Sequence, residues 1–418
     1  MRRAVIPFVV AAALIVIDQV PAFADDDEQA TLGQSVADRQ RPEYDAIGQR
    51  VGGFILYPSL YDLETYDSNI NATSTNQRGD LVTSLQPTVD LKSDWNTNAL
   101  NLHAGADWVD YAKYGNNNYT NYDFSADGRL DVYHDARLFA NAGYSVLHLP
   151  WWSPNIIQGQ GKPTEYSDTS VGLAGEKEFN HLSFRVDENF DYYNFSNVTV
   201  GGLTDEESKN NFGDERVNVH TGYEIVPGRQ VYLLTGYDQR IYDSNSDLFG
   251  YNRNSTGYIA AVGAKYEVTG LTFLDAFVGY RQQDYADARL GTISGMAGGL
   301  KLTWNFTTLD TLTGNVTRDI DETIIAHATG YFATIESLNE DHELLRNLIL
   351  TGHAEHETDD FSGITRTDEY YRASAGAKYL LTENFWLNGG YQYETRSSSA
   401  GGGTVDDNSV FIGINAHL

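Results

Sequence analysis

The segment His353-Ala354-Glu355-His356-Glu357 has the composition of a metal site, because imidazole and carboxylate groups are common metal ligands. It lies, however, in an alternating pattern typical of a β-strand, where successive side chains point to opposite faces. His353 and His356 are an odd number of positions apart, so we do not expect them to share an ion. We predict no metal ligand, no catalytic residue and no cofactor in this sequence.

Charged residues recur at one parity of several alternating segments, and this pattern is more informative. Asp127, Arg129 and Asp131, for example, alternate with the apolar Leu130 and Val132. Each such strand would have one charged face and one apolar face. The residues that share the charged parity are Asp90, Lys92, Asp123, Asp127, Arg129, Asp131, Arg137, Asp238, Arg240, Lys265, Lys301, Arg372 and Lys378.

Two roles fit this charged face if it lines the lumen of a barrel. Opposite charges on neighbouring strands would form a salt-bridged ladder that stabilises the sheet. Alternatively, the same charges would form a ring that selects ions. We favour the ladder, and either role predicts a hydrated lumen.

The apolar faces carry mostly Ala, Gly and Val in the middle and Tyr near the ends, and the chain contains 28 Tyr. The core of a soluble sandwich would favour larger side chains, whereas an apolar exterior bracketed by Tyr suits lipid and its two interfaces. The final strand, with Val410, Ile412 and Ile414 on one face, must pair with the first because a sheet in lipid leaves no edge unpaired. The predicted fold is all-β, a transmembrane antiparallel up-and-down β-barrel.

The connections between the predicted strands alternate between short and long. We predict short turns near 96–98, 134–135, 179–181, 227–229, 269–270, 305–308, 339–341 and 382–384. We predict longer polar loops near 67–80, 115–121, 149–165, 196–213, 243–254, 285–292, 319–323, 357–367 and 397–407. This alternation predicts about 18 strands, with 16 as the alternative, and a lumen wide enough for water.

The amino-terminal residues are typical of an exported protein. A basic start is followed by the apolar run Ala4–Ile17 and by the small-x-small site Ala22-Phe23-Ala24, which predicts a signal peptide over 1–24 that is cleaved off. Residues 25–49 are then a periplasmic segment, acting as a plug or a docking tail, and residues 50–418 are the barrel. We expect it in the cell outer membrane of a Gram-negative bacterium, with both termini in the periplasm.

The composition limits the partners. The formal net charge is −30, which argues against nucleic acid, since binding phosphates relies on clustered Lys and Arg. There is no cysteine, so stability must come from strand pairing and closure rather than from disulfides. The expected partners are the lipid of the outer membrane and the machinery that inserts barrels into it.

The start of the mature chain carries a recognisable motif. It consists of Arg41, Pro42, Glu43, Tyr44 and Asp45, followed by Gly48, Gly52 and Gly53 and then by Tyr57-Pro58-Ser59-Leu60 and Tyr66-Asp67-Ser68-Asn69-Ile70. This order resembles the opening of the putative β-barrel porin 2 family. The resemblance implies an outer-membrane barrel. It also implies an association of some similar proteins with exopolysaccharide or capsule export, and therefore periplasmic polysaccharide-export proteins as partners.

Three hypotheses for the function follow. The first is an outer-membrane channel for hydrophilic material, either an exopolysaccharide export component or a porin-like pore. The second is a structural or adhesive barrel whose surface loops bind partners and whose lumen is closed. The third is an outer-membrane hydrolase, for which no Ser, His and acid spacing in the sequence gives specific support. We therefore expect that the protein is not an enzyme.

Overall fold

The computed structural model describes residues 33–156 and 159–418. The predicted signal peptide, 1–24, lies outside the described residues, as does 25–32 of the predicted periplasmic segment. No helix among the described residues is long and apolar enough to span a membrane.

The described chain is almost entirely β-strand. The first half contains β1 (Gln49–Val51), β2 (Phe54–Asp67), β3 (Asp80–Ser93), β4 (Ala99–Tyr111), β5 (Tyr119–Tyr133), β6 (Ala136–His148), β7 (Glu165–Phe179), β8 (Leu182–Phe195), β9 (Val198–Val200) and β10 (Leu203–Asp205). The second half contains β11 (Phe212–Val226), β12 (Arg229–Tyr242), β13 (Ser255–Thr269), β14 (Thr272–Tyr285), β15 (Thr292–Trp304), β16 (Asp310–Asp321), β17 (Gly330–Leu345), β18 (Leu348–Ser362), β19 (Thr367–Leu380), β20 (Phe385–Ser398) and β21 (Val405–His417). Short 3-10 helices lie at Val36–Asp38, Gly115–Asn117 and Glu207–Asn210.

The strands form a closed antiparallel barrel of 18 strands, as the alternation of turns and loops predicted. The ring consists of β2–β8 and β11–β21, in which successive strands pair and β8 pairs with β11. The strand β21 closes the ring by pairing with β2, with Ser59 opposite His417 and Asp67 opposite Ser409. The short strands β9 and β10 pair only with each other. The short strand β1 pairs with the first residues of β2, where β21 has ended. The edge of β2 is therefore covered along nearly its whole length, which removes the free edge that a sheet in lipid cannot leave exposed.

Short turns and longer loops lie at opposite ends of the barrel, which we call the turn end and the loop end. The predicted turn at 339–341 is wrong, because Asn339, Glu340 and Asp341 lie inside β17 and the turn follows at 346–347. Asn339 and Asp341 have the inward parity of β17, and the exposed Leu344 and Leu345 follow them, so these polar residues do not mark a turn. The predicted loop at 357–367 is also too long, since β18 continues to Ser362.

The two prolines of the first hairpin, Pro58 and Pro87, cause no β-bulge between β2 and β3. Pro58 pairs with Val89 and Pro87 with Leu60 in an unshifted register between β2 and β3. On its other edge, Pro58 lies between the end of β1 pairing and the start of β21 pairing. A residue without a backbone N–H therefore occupies a gap in the ladder, where little pairing is lost.

The outer surface shows two bands of exposed aromatic residues with small aliphatic residues between them. The band nearer the loop end includes Tyr66, Trp108, Tyr122, Phe190, Tyr237, Tyr258, Tyr280 and Tyr371, and the band at the turn end includes Tyr133, Phe179, Tyr223, Tyr266, Trp304, Tyr379 and Phe385. Between them lie exposed aliphatic side chains such as Val262, Val278 and Leu300. Aromatic bands around an apolar belt are the arrangement by which transmembrane barrels meet the two lipid interfaces.

Candidate functional site: the lumen and its two ends

The strand register places the thirteen predicted charged residues on one face of the sheet, since residues directly opposite each other on paired strands share a face. Asp131 lies opposite Arg137, and Asp275 lies opposite both Lys265 and Lys301. Continuing from strand to strand, the same face carries the buried Arg240 and Arg372, whereas the other face carries the aromatic bands. The charged face is therefore the inner wall of the barrel.

Arg372 is the centre of the most buried charge cluster on this wall. Its Nη1 donates to Glu355 Oε1 at 2.6 Å and to Glu357 Oε2 at 2.7 Å, and its Nε donates to Glu394 Oε1 at 2.7 Å. The exposed fraction of the arginine side chain is 4%. Three strands, β18, β19 and β20, are thus joined by one guanidinium.

A second cluster lies towards the loop end. Arg240 Nε donates to Asp214 Oδ2 at 3.0 Å and its Nη1 donates to Glu322. Asp214 also accepts from Arg216 at 2.9 Å. The cluster links β11 and β12 to the loop that follows β16.

Most of the other predicted charges also have partners on the inner wall. The contacts are Asp238 with Arg281 at 3.0 Å, Arg137 with Glu176 at 3.0 Å, Arg129 with Asp131 at 3.1 Å, Asp90 and Asp123 with His103 at 2.8 and 3.1 Å, Asp127 with Asn101 at 2.8 Å, and Lys265 with Asp275 at 3.9 Å. Lys92 and Lys378 lie over the rings of Tyr57 and Trp386, at 5.4 and 4.4 Å, and Lys301 is exposed. The geometry is mainly that of paired charges along neighbouring strands.

Several partners were not among the predicted residues. Arg281 and Glu394 have the inward parity of their strands, so a complete count of that parity would have found them. Glu322 lies in a loop, where no strand periodicity indicates which way a side chain points. The two histidines of the metal-like segment lie on opposite faces: His353 contacts Asn339 on the inner wall, and His356 stacks on the exposed Tyr371. Within 33–156 and 159–418 no group of three or more His, Cys, Asp or Glu side chains is placed to hold a metal ion.

The described part of the amino-terminal segment, 33–48, folds against the inner wall at the turn end. Arg41, which is 1% exposed, donates to Glu343 Oε2 at 2.8 Å and to the Arg346 carbonyl at 3.2 Å. The backbone N–H of Val36, a fully buried residue, donates to Thr311 Oγ1 at 2.9 Å. The segment is therefore attached to β16 and β17 by buried contacts.

The remaining motif residues shape the path of this segment into β2. Tyr44 packs against the cluster that contains Tyr61 and Trp386. Gly48 has a φ of +71°, and a Cβ there would lie 2.6 Å from Ile55, so only glycine fits. The other motif positions are peripheral. Asp45 accepts from the backbone N–H of Arg41 at 2.7 Å, and Glu43 contacts Arg346 at 3.4 Å. Pro42 is exposed, and Gly52 and Gly53 form the turn between β1 and β2.

At the loop end, the connection between β6 and β7 extends across the mouth of the barrel. The Trp152 carbonyl accepts from Arg396 Nη1 on β20 at 2.9 Å. Asn155 Oδ1 accepts from Thr323 Oγ1 at 3.0 Å and from the Ile324 N–H at 3.2 Å. The loop thus contacts strands and loops far around the ring from its own, and it narrows the mouth.

The loop between β16 and β17 is fixed inward. Glu322 accepts from Tyr285 at 2.7 Å and from Tyr242 at 3.2 Å, in addition to Arg240. Arg253 donates to the carbonyls of Ala328 and Ile325 at 3.2 and 3.1 Å. Burial alone would lower the pKa of Arg253, but the facing Tyr242, Asp247 and Glu322 raise this pKa above its ordinary value, so the guanidinium stays charged.

These two loops also contribute residues to the wall of a cavity of about 1140 Å³ at the loop end. A closed barrel, a charged inner wall and a cavity at one mouth are the parts of a pore. Residues 41–418 match the family model described as putative beta-barrel porin 2. The chain belongs to this family. It is a porin-like outer-membrane β-barrel.

Several solved outer-membrane proteins are also similar to the chain. It is similar to a mutant of the ferric enterobactin receptor PfeA of Pseudomonas aeruginosa (8% identity, 90% of this chain and 81% of that chain, TM-score 0.47) and to OpdK of Pseudomonas aeruginosa, solved with vanillate (12%, 87% and 98%, 0.45). It is also similar to the siderophore receptor PirA of Acinetobacter baumannii (9%, 88% and 81%, 0.48). Because these similarities are so distant, they do not indicate which ligand this member of the porin 2 family binds. No curated protein matches the chain significantly.

Proposed function

We propose that the protein is an outer-membrane channel that passes small hydrophilic solutes. The observation that carries this proposal is the charged inner wall of a closed 18-strand barrel, together with a cavity of about 1140 Å³ at the loop end. Charged residues of the inner wall towards the turn end, such as Lys265 and Asp275, keep 58% and 42% of their side-chain surface exposed, which is consistent with a hydrated interior. Barrels of this size enclose an aqueous channel rather than a side-chain core.

The orientation in the membrane belongs to the same proposal. Outer-membrane barrels have short turns in the periplasm and longer loops outside. Both described ends of the chain, β1 and β21, meet at the turn end. We therefore assign the turn end and both termini to the periplasm, and the cavity to the outside.

The amino-terminal segment then acts as a partial plug on the periplasmic side. Its buried contacts to Thr311 and Glu343 hold it against the inner wall, so it reduces the free cross-section of the lumen. Release of this segment would widen the periplasmic entrance. A docking role for the same segment would require periplasmic partners to compete with Glu343 for Arg41.

Export of exopolysaccharide is a more specific hypothesis within the general channel function. A polymer needs a continuous passage, whereas the loop of Trp152 and Asn155 crosses the mouth and is attached on its far side. The geometry therefore favours small solutes, and polymer export would require this loop to move aside. Deletion of the gene, with measurement of the polysaccharide outside the cell, tests the export function directly.

Conductance tests the general proposal. The purified barrel is reconstituted into planar bilayers, and we expect stepwise conductance in potassium chloride. A variant that lacks 33–48 should conduct more per channel. A barrel that is folded by heat-modifiable electrophoresis but does not conduct, with or without 33–48, would overturn the channel and favour the structural or adhesive barrel.

A further inference from the structure

The loop-end cavity differs in charge from the rest of the molecule. The chain contains 58 acidic residues and 28 Lys and Arg. Among the described residues that line the cavity, four are basic, Arg78, Lys113, Arg366 and Arg396, and none is Asp or Glu. A positive cavity at the entrance of an acidic protein attracts anions, because walls of one charge sign focus the local field.

Three of the four cations form no direct ion pair with a carboxylate among the described residues. Arg366 is paired with Asp368, with Nε 2.9 Å from Oδ1. In contrast, Arg78 lies over the ring of Tyr114 at 5.3 Å, and Arg396 donates to the Trp152 carbonyl. No ion pair to a carboxylate is found for Arg78, Lys113 or Arg396 within the described ranges. The backbone N–H of Lys113 donates to Asp80 at 2.9 Å, and the Lys113 charge interacts with this carboxylate at longer range.

The rest of the lining is suited to hydroxyl groups and to the apolar face of a sugar ring. It is rich in Asn, Ser, Thr and Gln, which can both donate and accept hydrogen bonds. Trp151 and Tyr114 add aromatic surface. Pockets for drug-sized ligands have volumes of about 300–1,000 Å³, so a cavity of about 1140 Å³ has room for more than one sugar unit.

We infer that this cavity binds a hydroxyl-rich carboxylate of the sugar-acid class at the outer entrance of the channel. Arg78, Lys113 and Arg396 hold the carboxylate, since guanidinium and ammonium groups form short charge-assisted bonds to it. The neutral polar residues hold the hydroxyls. The inference deepens the proposed function, and it rests on that function only for the statement that the cavity is an entrance.

Binding is measured first without any need for conductance. The full barrel in detergent is titrated calorimetrically with galacturonate, with glucose as the neutral ring and with inorganic phosphate as the anion without a ring. We expect galacturonate to bind most tightly. Equal binding of glucose would overturn the role of the cations, and binding of phosphate as tight as that of galacturonate would overturn the sugar-acid assignment.

Substitutions then locate the site. Arg78→Gln, Lys113→Gln and Arg396→Gln should each weaken galacturonate about tenfold, which corresponds to the loss of one charge-assisted hydrogen bond. Lys301→Gln is the matched control, because it removes the same charge from an exposed position of the inner wall outside the cavity. An unchanged affinity in all three variants, or an equal loss in the control, would overturn the site.

Single-channel recording separates the two proposals. Galacturonate added on the loop side of the wild-type channel should interrupt the current, and the interruptions should be lost in the three cavity variants. Calorimetric binding without any conductance would keep the binding site and reject the channel. Conductance without specific calorimetric binding would keep the channel and reject the binding site.

Discussion

Arg41 and Glu343, which are 302 positions apart in the chain, meet at the turn end, with Arg41 Nη2 and Glu343 Oε2 2.8 Å apart. The exposed fractions of the two side chains are 1% and 11%. The pair connects a segment that precedes the first strand to a strand near the end of the chain. It is the charged part of the attachment that holds 33–48 against the inner wall.

We expect Arg41→Ala to release this segment, because Glu343 would keep a largely buried charge without its cation. Loss of one partner of a buried pair costs about 3–5 kcal/mol. The segment should become cleavable by protease, and the conductance per channel should rise. Limited proteolysis with mass spectrometry, together with bilayer recording, measures both effects.

Arg50→Ala is the matched control for this prediction. Arg50 is also paired with a carboxylate, that of Asp94, but their side chains are 64% and 43% exposed. Exposed pairs contribute little to stability. If 33–48 resisted protease equally well in both variants, the Arg41 contact would not be what holds the segment.

Arg372→Met should destabilise the barrel itself. The substitution leaves the carboxylates of Glu355, Glu357 and Glu394 facing each other without a cation, and the last two are 2% and 3% exposed. We expect the free energy of unfolding to fall by about 3–5 kcal/mol. Urea unfolding in lipid vesicles measures the change. Lys265→Met, which removes an exposed partner of Asp275, should have a much smaller effect, and equal effects would contradict the burial argument.

Glu322→Gln should loosen the loop between β16 and β17 while leaving its size unchanged. The amide cannot serve as the negative partner of Arg240, and it accepts more weakly from Tyr285. We expect more current noise in the open channel, because the loop would leave the inner wall more often. The control is Glu206→Gln, which makes the same change in an exposed loop pair with Lys209. Equal noise in both variants would argue against a role of Glu322 in fixing the loop.

Val262→Arg tests which face of the strands meets lipid. Val262 is 61% exposed at the middle of β13 and on the face opposite Lys265, so the arginine would lie in the hydrocarbon core. A lipid-facing arginine at the midplane costs about 2–4 kcal/mol. Leu81→Arg, near the loop end of β3, should cost much less because it lies close to the interface. Equal costs in vesicle unfolding would contradict the assigned depth.

Much of the barrel could be predicted from the sequence because side-chain direction in a strand is a local property. The alternation around Asp127, Arg129 and Asp131 was sufficient to assign an inner and an outer face. The closure of β21 on β2 followed from the rule that lipid tolerates no free edge. The turn expected at 339–341 was wrong because two of its polar residues, Asn339 and Asp341, face the lumen within β17, so their polarity does not mark a chain reversal.

The candidate site, in contrast, was decided by tertiary structure. Arg41 and Glu343 are 302 positions apart, and Asn155 and Thr323 are 168 positions apart. Their contacts depend on how the ring brings distant strands and loops together, which no periodicity encodes. The same holds for the cavity, whose basic residues come from separate loops and strand ends. Local alternation is therefore enough to predict the wall and its two faces, whereas the pairing of the charges and the position of 33–48 depend on closure of the ring.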